Sequence, residues 1–231
     1  MNKIVTLNNK IIEKEPIKEI INVSATKEEN KKNLIYIYNT HDTEEYFSPT
    51  NDNSVTPTVK IASYILKDHL NNLNINSTVE TNKIKTYLNK HNLNYYGSYD
   101  ASRYYLQQKL KENNYKILID LHRDSVKKNI SLLESNNKKY ARVLFVLTKK
   151  HKNYKENEKF VKNLNSRINK KVKNLSRGIM ERTDVIFNQD LSPYAILLEI
   201  GGVDNTIEEI NNTLEVVAEV LNEYMNEEFN G

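Results

Sequence analysis

Three short apolar runs, each ending in a histidine or a glutamate, constrain this chain more than any other feature. The first, Tyr36-Ile37-Tyr38-Asn39-Thr40-His41-Asp42-Thr43-Glu44-Glu45-Tyr46, alternates apolar residues and stops at a histidine followed by acids. The second, Ile117-Leu118-Ile119-Asp120-Leu121-His122-Arg123-Asp124-Ser125, and the third, Tyr194-Ala195-Ile196-Leu197-Leu198-Glu199-Ile200-Gly201-Gly202, repeat the arrangement. Near-continuous apolar runs are what strands covered on both faces look like, and Ala141–Thr148, with Val143-Leu144-Phe145-Val146-Leu147, is another. Between the runs lie stripes at helical spacing, such as Ile61, Ala62, Ile65, Leu66 and Leu70, or Ala101, Tyr105, Leu106 and Leu110. This alternation predicts an α/β fold: a single domain with a mostly parallel twisted sheet and helices on both faces. Ligands of such sheets bind beyond the carboxyl ends of the strands, where all three polar termini are expected.

The remaining elements follow from local signals. Ser98 is expected to cap a helix over Tyr99–Glu112, and the stripe Val161, Leu164, Ile168, Val172 and Leu175 predicts a long helix over Asn153–Leu175. Thr206 followed by Glu209 reads as a capping box opening a last helix, with Ile210, Leu214, Val217, Leu221 and Tyr224 on its buried face. Leu73–Glu80 reads as a weaker strand and Thr183–Gln189 as a short edge element, while the polar stretch Thr81–Tyr96 shows no clear pattern. Residues 1–32, rich in Lys, Glu and Asn, read as a linker or peripheral arm ahead of a catalytic-size domain at 33–231.

Composition narrows the functional classes. Lys+Arg 34 against Asp+Glu 30 leaves a formal charge of +4 spread along the chain, so no nucleic-acid partner is expected. There is no cysteine, so a metal must be held by imidazole and carboxylate. No run of about 18 apolar residues is present, so no membrane segment is expected in this chain. A Gly-rich phosphate loop and a Gly-x-Ser-x-Gly elbow are both missing, which argues against nucleotide and serine-hydrolase chemistry.

Hydrolytic zinc takes three protein ligands and keeps one position for water. His41 and His122 are natural ligands, and spacing alone leaves the third open among Asp42, Glu44 and Glu45. Glu199, ahead of two glycines that admit close backbone approach, is placed to take a proton from water and return it to a leaving amine. Arg103, Arg123 and Asp124 stand where an arginine clamps a substrate carboxylate or a salt bridge supports the ligands. His69 reads as a packed or rim residue and His151, after Lys149-Lys150, as part of a solvated face; His91 sits in the stretch without pattern.

Five motifs taken together carry a family likeness. Ile35-Tyr36-Ile37-Tyr38-Asn39-Thr40-His41-Asp42-Thr43-Glu44, Gly97-Ser98-Tyr99-Asp100-Ala101-Ser102-Arg103, Ile119-Asp120-Leu121-His122-Arg123-Asp124, Phe187-Asn188-Gln189-Asp190-Leu191-Ser192 and Leu198-Glu199-Ile200-Gly201-Gly202 with Asn205-Thr206 occur in order. The set resembles the stage II sporulation protein P family from about Leu34 to Leu221.

The resemblance implies a zinc amidase fold of the amidase type 3 kind and a zinc-dependent peptidoglycan hydrolase. It would cleave the amide between N-acetylmuramic acid and the L-alanine of the stem peptide during sporulation engulfment. Cleavage of stem-peptide cross-links, or a catalytically inactive peptidoglycan-binding or scaffold role, are the alternatives. It further implies zinc ligation by His41, Glu44 and His122, with Glu199 as catalytic glutamate. Ser98, Ser102, Arg103, Arg123, Asp124, Asn188 and Asn205 then fall at substrate-binding or supporting positions. The implied setting is the cell-wall face of the septal or forespore membranes, beside a lytic transglycosylase like stage II sporulation protein D. Two departures stand out: the family's usual His-Thr-His reads Asn39-Thr40-His41 here, and its His-Asp element is not evident around Glu80–His91. The amino-terminal anchor of the family is not visible either.

Overall fold

The computed structural model describes residues 35–48 and 56–229, which belong to one compact unit. The arm expected at 1–32 lies outside the described residues. Strands β1 (Ile35–Tyr38), β2 (Ser77–Val79), β3 (Ile117–His122), β6 (Val143–Thr148), β7 (Ser176–Arg182) and β8 (Ala195–Ile200) form one six-stranded sheet in the order β2-β1-β3-β8-β6-β7. All neighbours pair parallel except β6 with β8, which run antiparallel with Val143 opposite Ile200.

Alternation along the strands sorts side chains between two cores. Ile35, Ile37, Ile117, Ile119 and Leu121 face a cluster shared with α1 (Val59–Asn72), α5 (Tyr154–Lys171) and α6 (Ile207–Glu228). Tyr36, Tyr38 and Leu118 point the other way, onto Leu106 of α3 (Ser98–Glu112). The mostly parallel sheet with helices on both faces is therefore the fold of this chain.

Several local expectations are corrected. Ser98 is the first residue of α3 rather than its cap; its hydroxyl donates back to the Tyr95 carbonyl at 2.6 Å. Helix α5 stops at Lys171, and Leu175 is buried just ahead of β7. The strand at this edge is β7, not Thr183–Gln189: the half-exposed sequence Ser-Arg-Gly-Ile-Met-Glu-Arg hides it because an edge strand tolerates charged residues. Helix α2 (Ile84–Lys90) emerges in the patternless stretch, held by only two buried residues, Ile84 and Leu88. The expected strand at Ala141–Thr148 is broken after Ala141, because β5 (Lys138–Ala141) turns back on β4 (Leu132–Ser135). The hairpin turn places Asn136 and Asn137 at positive φ, a conformation asparagine tolerates better than most residues. The short helix α4 (Lys128–Ser131) leads into that hairpin.

The capping box of α6 is present as expected. Thr206 accepts from the Glu209 N–H, while Glu209 Oε2 accepts from the Thr206 N–H at 3.1 Å and from the Asn205 amide at 2.8 Å. Asn205 also takes the Gly202 N–H at 2.8 Å. Between β8 and this helix a side chain has no room: a Cβ on Gly202 would stand 2.2 Å from the Val126 carbonyl.

Candidate active site

The parallel arrangement of β1, β3 and β8 brings their carboxyl ends side by side. Tyr38 pairs with Asp120, and His122 pairs with Glu199, so the second imidazole and the glutamate are direct neighbours across a strand pair. His41, just beyond β1, meets His122 edge-on with ring centroids 5.2 Å apart. Glu44 follows in the same turn, and its Oε2 lies 3.6 Å from His122 Nδ1. The same oxygen accepts the Arg123 backbone N–H at 2.9 Å, which aims the carboxylate at the imidazole. Asp42 turns elsewhere, accepting the Ile84 N–H at 3.2 Å and thereby anchoring the start of α2; Glu45 is exposed.

Asp120 escapes a reading by strand ends, yet it supports this arrangement. It is fully buried, and its Oδ1 stands 2.9 Å from His122 Nε2. Its own position is held by Thr40, whose backbone N–H donates to Oδ1 at 2.9 Å and whose hydroxyl donates to Oδ2 at 2.6 Å. The Asp120 carboxylate thus sits against one nitrogen of His122 and leaves the other, Nδ1, facing Glu44. An acid inside Ile-Leu-Ile-Asp-Leu is as costly to bury unpaired as Glu199, so the same logic would have found it.

Electrostatics follow from burial and neighbours. Burial raises the Glu199 pKa to about 7, with His122 pulling it down and Glu44 pushing it up. Its Oε2 is buried and has no hydrogen-bond partner. Burial, seconded by the positive His122, holds His41 below the ordinary histidine range. For His122 burial also disfavours the charged form, but Asp120 and Glu44 outweigh it and keep the pKa well above the usual value.

Around these groups lie the other candidates. Thr40, Ser102 and Asn188 form a buried relay: the Thr40 and Ser102 hydroxyls are 2.9 Å apart, and the Asn188 amide donates to Ser102 at 3.0 Å. Arg103 is committed to Asp190 through two bonds of 2.8 and 2.7 Å. Asp124 pairs with Arg177, a residue that no local signal marked. Asn205 spends its amide within the turn before α6. Ser98 lines a cleft of about 280 Å³ with His41, Ile84, Leu88, Leu93 and Tyr95. The Tyr95 ring lies flat on His41 at 4.6 Å, and Tyr99 meets it edge-on at 5.6 Å. The remaining histidines stand apart: His69 bonds Asn211 at the rim, His91 stacks on Tyr87, and His151 is half-buried with both ring nitrogens unpartnered rather than on a solvated face.

Among the described residues, no group of three or more His, Asp or Glu side chains is arranged to hold a metal ion. The donors present are of types that zinc accepts: His41 Nδ1 is buried with no partner, and His122 Nδ1 and Glu44 Oε2 face each other beside it.

Residues 2–222 match the family described as Stage II sporulation protein P (SpoIIP). The chain belongs to the stage II sporulation protein P family. It is 36% identical over 204 residues to Stage II sporulation protein P of Bacillus subtilis (strain 168), covering 83% of this chain and 51% of that relative, or about half its length. Two solved structures share the fold. The CwlD amidase from Clostridioides difficile, in complex with the GerS lipoprotein, aligns with a TM-score of 0.51 at 15% identity, over 84% of this chain and 98% of that one. The N-acetylmuramyl-L-alanine amidase Ami1 of Mycobacterium smegmatis aligns with a TM-score of 0.51 at 8% identity, over 86% and 100%. At such identities the likeness is one of fold.

Within the family, the departure at Asn39 acquires a structural meaning. Asn39 is buried, and its amide donates to the Leu121 carbonyl at 2.7 Å and to Ser63 at 2.9 Å. The side chain therefore knots β1 to β3 and α1 beneath the site. No helix among the described residues is long and apolar enough to cross a membrane.

Proposed function

We propose that this chain is a zinc-dependent peptidoglycan hydrolase cutting the amide between N-acetylmuramic acid and the L-alanine of the stem peptide. What supports the reading is the meeting of His41, Glu44, His122 and Glu199 at the carboxyl edge of three adjacent parallel strands. Membership of the sporulation family supports a place in cell-wall remodelling at engulfment. The shared fold of two proteins named amidases supports the class of bond.

In this reading His41, Glu44 and His122 hold the ion. When bound, zinc would supply Lewis-acid polarisation of the carbonyl and a water acidic near neutral pH. Asp120 lies against the far nitrogen of His122 as its electrostatic partner, and the Arg123 N–H fixes Glu44. Glu199 takes the proton of the attacking water on its unpartnered Oε2 and delivers it to the amine that leaves with the stem peptide. Burial, which raises this carboxyl to about 7 in the metal-free protein, favours a group that can both take and return a proton. The reaction takes place on the outer, cell-wall side of the septal or forespore membrane, beside a lytic transglycosylase of the stage II sporulation protein D type that opens the glycan strands.

Digestion of purified sacculi with the zinc-loaded protein, followed by mass spectrometry and elemental analysis, tests this. Free stem peptides with stoichiometric zinc are expected. Split cross-links with intact muramyl linkages would make it an endopeptidase, and bound zinc without cleavage would make it a binding or scaffold protein.

A further inference from the structure

We propose that Arg123 and Arg177 form a subsite that reads a free carboxylate on the stem peptide, resting on the peptidoglycan reading above. The two guanidinium groups converge on one residue: Arg123 Nη1 donates to the Asp124 backbone carbonyl at 3.3 Å, while Arg177 Nη2 pairs with the Asp124 carboxylate. Asp124 is itself tied to the end of β8, its N–H donating to Gly201 O at 3.1 Å, two residues past Glu199. The pair therefore stands at the edge that carries Glu199.

Arg177 is neutralised by Asp124, but the charge of Arg123 is not. Among the described residues no carboxylate pairs with the Arg123 guanidinium, and Nε of both arginines is buried without a hydrogen-bond partner. Arg103 differs, being closed by both oxygens of Asp190. A guanidinium without a carboxylate partner beside the catalytic edge is an unmet charge, and Arg123 is the one that can receive an acidic group, with Arg177 held alongside through the shared Asp124. The planar fork of a guanidinium matches a carboxylate. Stem peptides present such groups on their acidic residue and at their carboxyl terminus. The antiparallel turn of β6 against β8 is what delivers Arg177: it brings the amino-terminal end of β7, where Ser176 pairs with Val143, to the edge where β8 ends.

The test compares two muramoyl peptides, one with free stem carboxylates and one with the same carboxylates amidated. For the unaltered zinc-loaded protein, kcat/KM for the free form should exceed that for the amidated form by about tenfold or more, the usual weight of a charge-assisted bond. In Arg123→Gln and in Arg177→Gln the ratio should fall towards one. No preference in the unaltered protein, or a preference that survives both substitutions, overturns the subsite. Absence of turnover on either peptide overturns the hydrolase reading instead. Calorimetric titration with the same two peptides then decides the subsite: tighter binding of the free form, lost in Arg123→Gln, supports it, and equal binding of both forms overturns it. Melting curves check that each variant is folded, and Arg123→Lys, which keeps charge but not the fork, should recover only part of the preference.

Discussion

Asp120 Oδ1 stands 2.9 Å from His122 Nε2, so a fully buried carboxylate lies behind the imidazole while its other nitrogen faces Glu44. Carboxylates behind metal histidines fix ring orientation and raise ligand basicity, and losing one typically weakens metal binding about 10–100-fold. Asp120→Asn should lower zinc affinity by that factor in competition with a chromogenic chelator. Thr40→Val, which removes one of the bonds to Asp120, should do so less. Affinity unchanged in Asp120→Asn would remove the carboxylate from this role.

Glu199 makes the metal-free protein sensitive to pH. Its folded pKa of about 7 exceeds the ordinary glutamate value, so the folded state binds the proton more tightly than the unfolded state. Below the ordinary value both states are protonated and nothing is lost. Between there and about 7 the unfolded chain releases its proton first, so stability falls as pH rises and then levels off. The loss amounts to roughly 2–3 kcal/mol after allowance for partial exposure. In chelator-treated protein, Glu199→Gln should match the unaltered chain near pH 4, within about a degree, and melt roughly 5–10 °C higher near pH 8. Parallel melting curves across that range would refute it.

The same substitution separates chemistry from metal binding. With zinc loaded, Glu199→Gln should retain the metal while release of stem peptides falls by about 10²–10⁴-fold, the usual weight of a general acid–base group. Elemental analysis and product quantification check the two halves independently. Undiminished release would assign the proton transfer elsewhere.

Gly202 permits the close approach of two loops. A Cβ there would lie 2.2 Å from the Val126 carbonyl, and a backbone atom cannot swing aside as a flexible side chain can. Gly202→Ala should cost about 1–3 kcal/mol, lowering the melting temperature by roughly 2–10 °C in a domain of this size. Differential scanning calorimetry reads the shift directly.

Asn39 carries load of a different kind. Asn39→Ala removes the donor to the Leu121 carbonyl and to Ser63, leaving buried acceptors unmade at about 1–3 kcal/mol. Denaturant unfolding should show the loss, whereas zinc stoichiometry should stay at one per chain, since Asn39 points into the packing between β1, β3 and α1.

Much of the fold was legible because its signals are local. Val143–Leu147 is apolar throughout, as a doubly covered strand must be, and Thr206 with Glu209 announced α6 through a bond spanning three residues. What escaped were elements whose reasons lie elsewhere in the chain. Edge strand β7 has a half-exposed, charged sequence and exists because β6 offers it a partner. The hydroxyl of Ser98, an apparent cap, goes to Tyr95 because a short turn precedes the helix.

The site divides in the same way. By itself the sequence determined which groups stand at strand ends, His41, His122 and Glu199, because the alternation of a strand and its stopping point are written in neighbouring residues. Only the tertiary structure decided which neighbours they keep. Strand order made His122 and Glu199 adjacent, turned Glu44 rather than Asp42 or Glu45 toward the imidazole, placed Asp120 behind it, and carried Arg177 in from the far edge of the sheet. Those relations depend on pairing and packing between residues tens of positions apart, which composition and spacing along one segment do not encode.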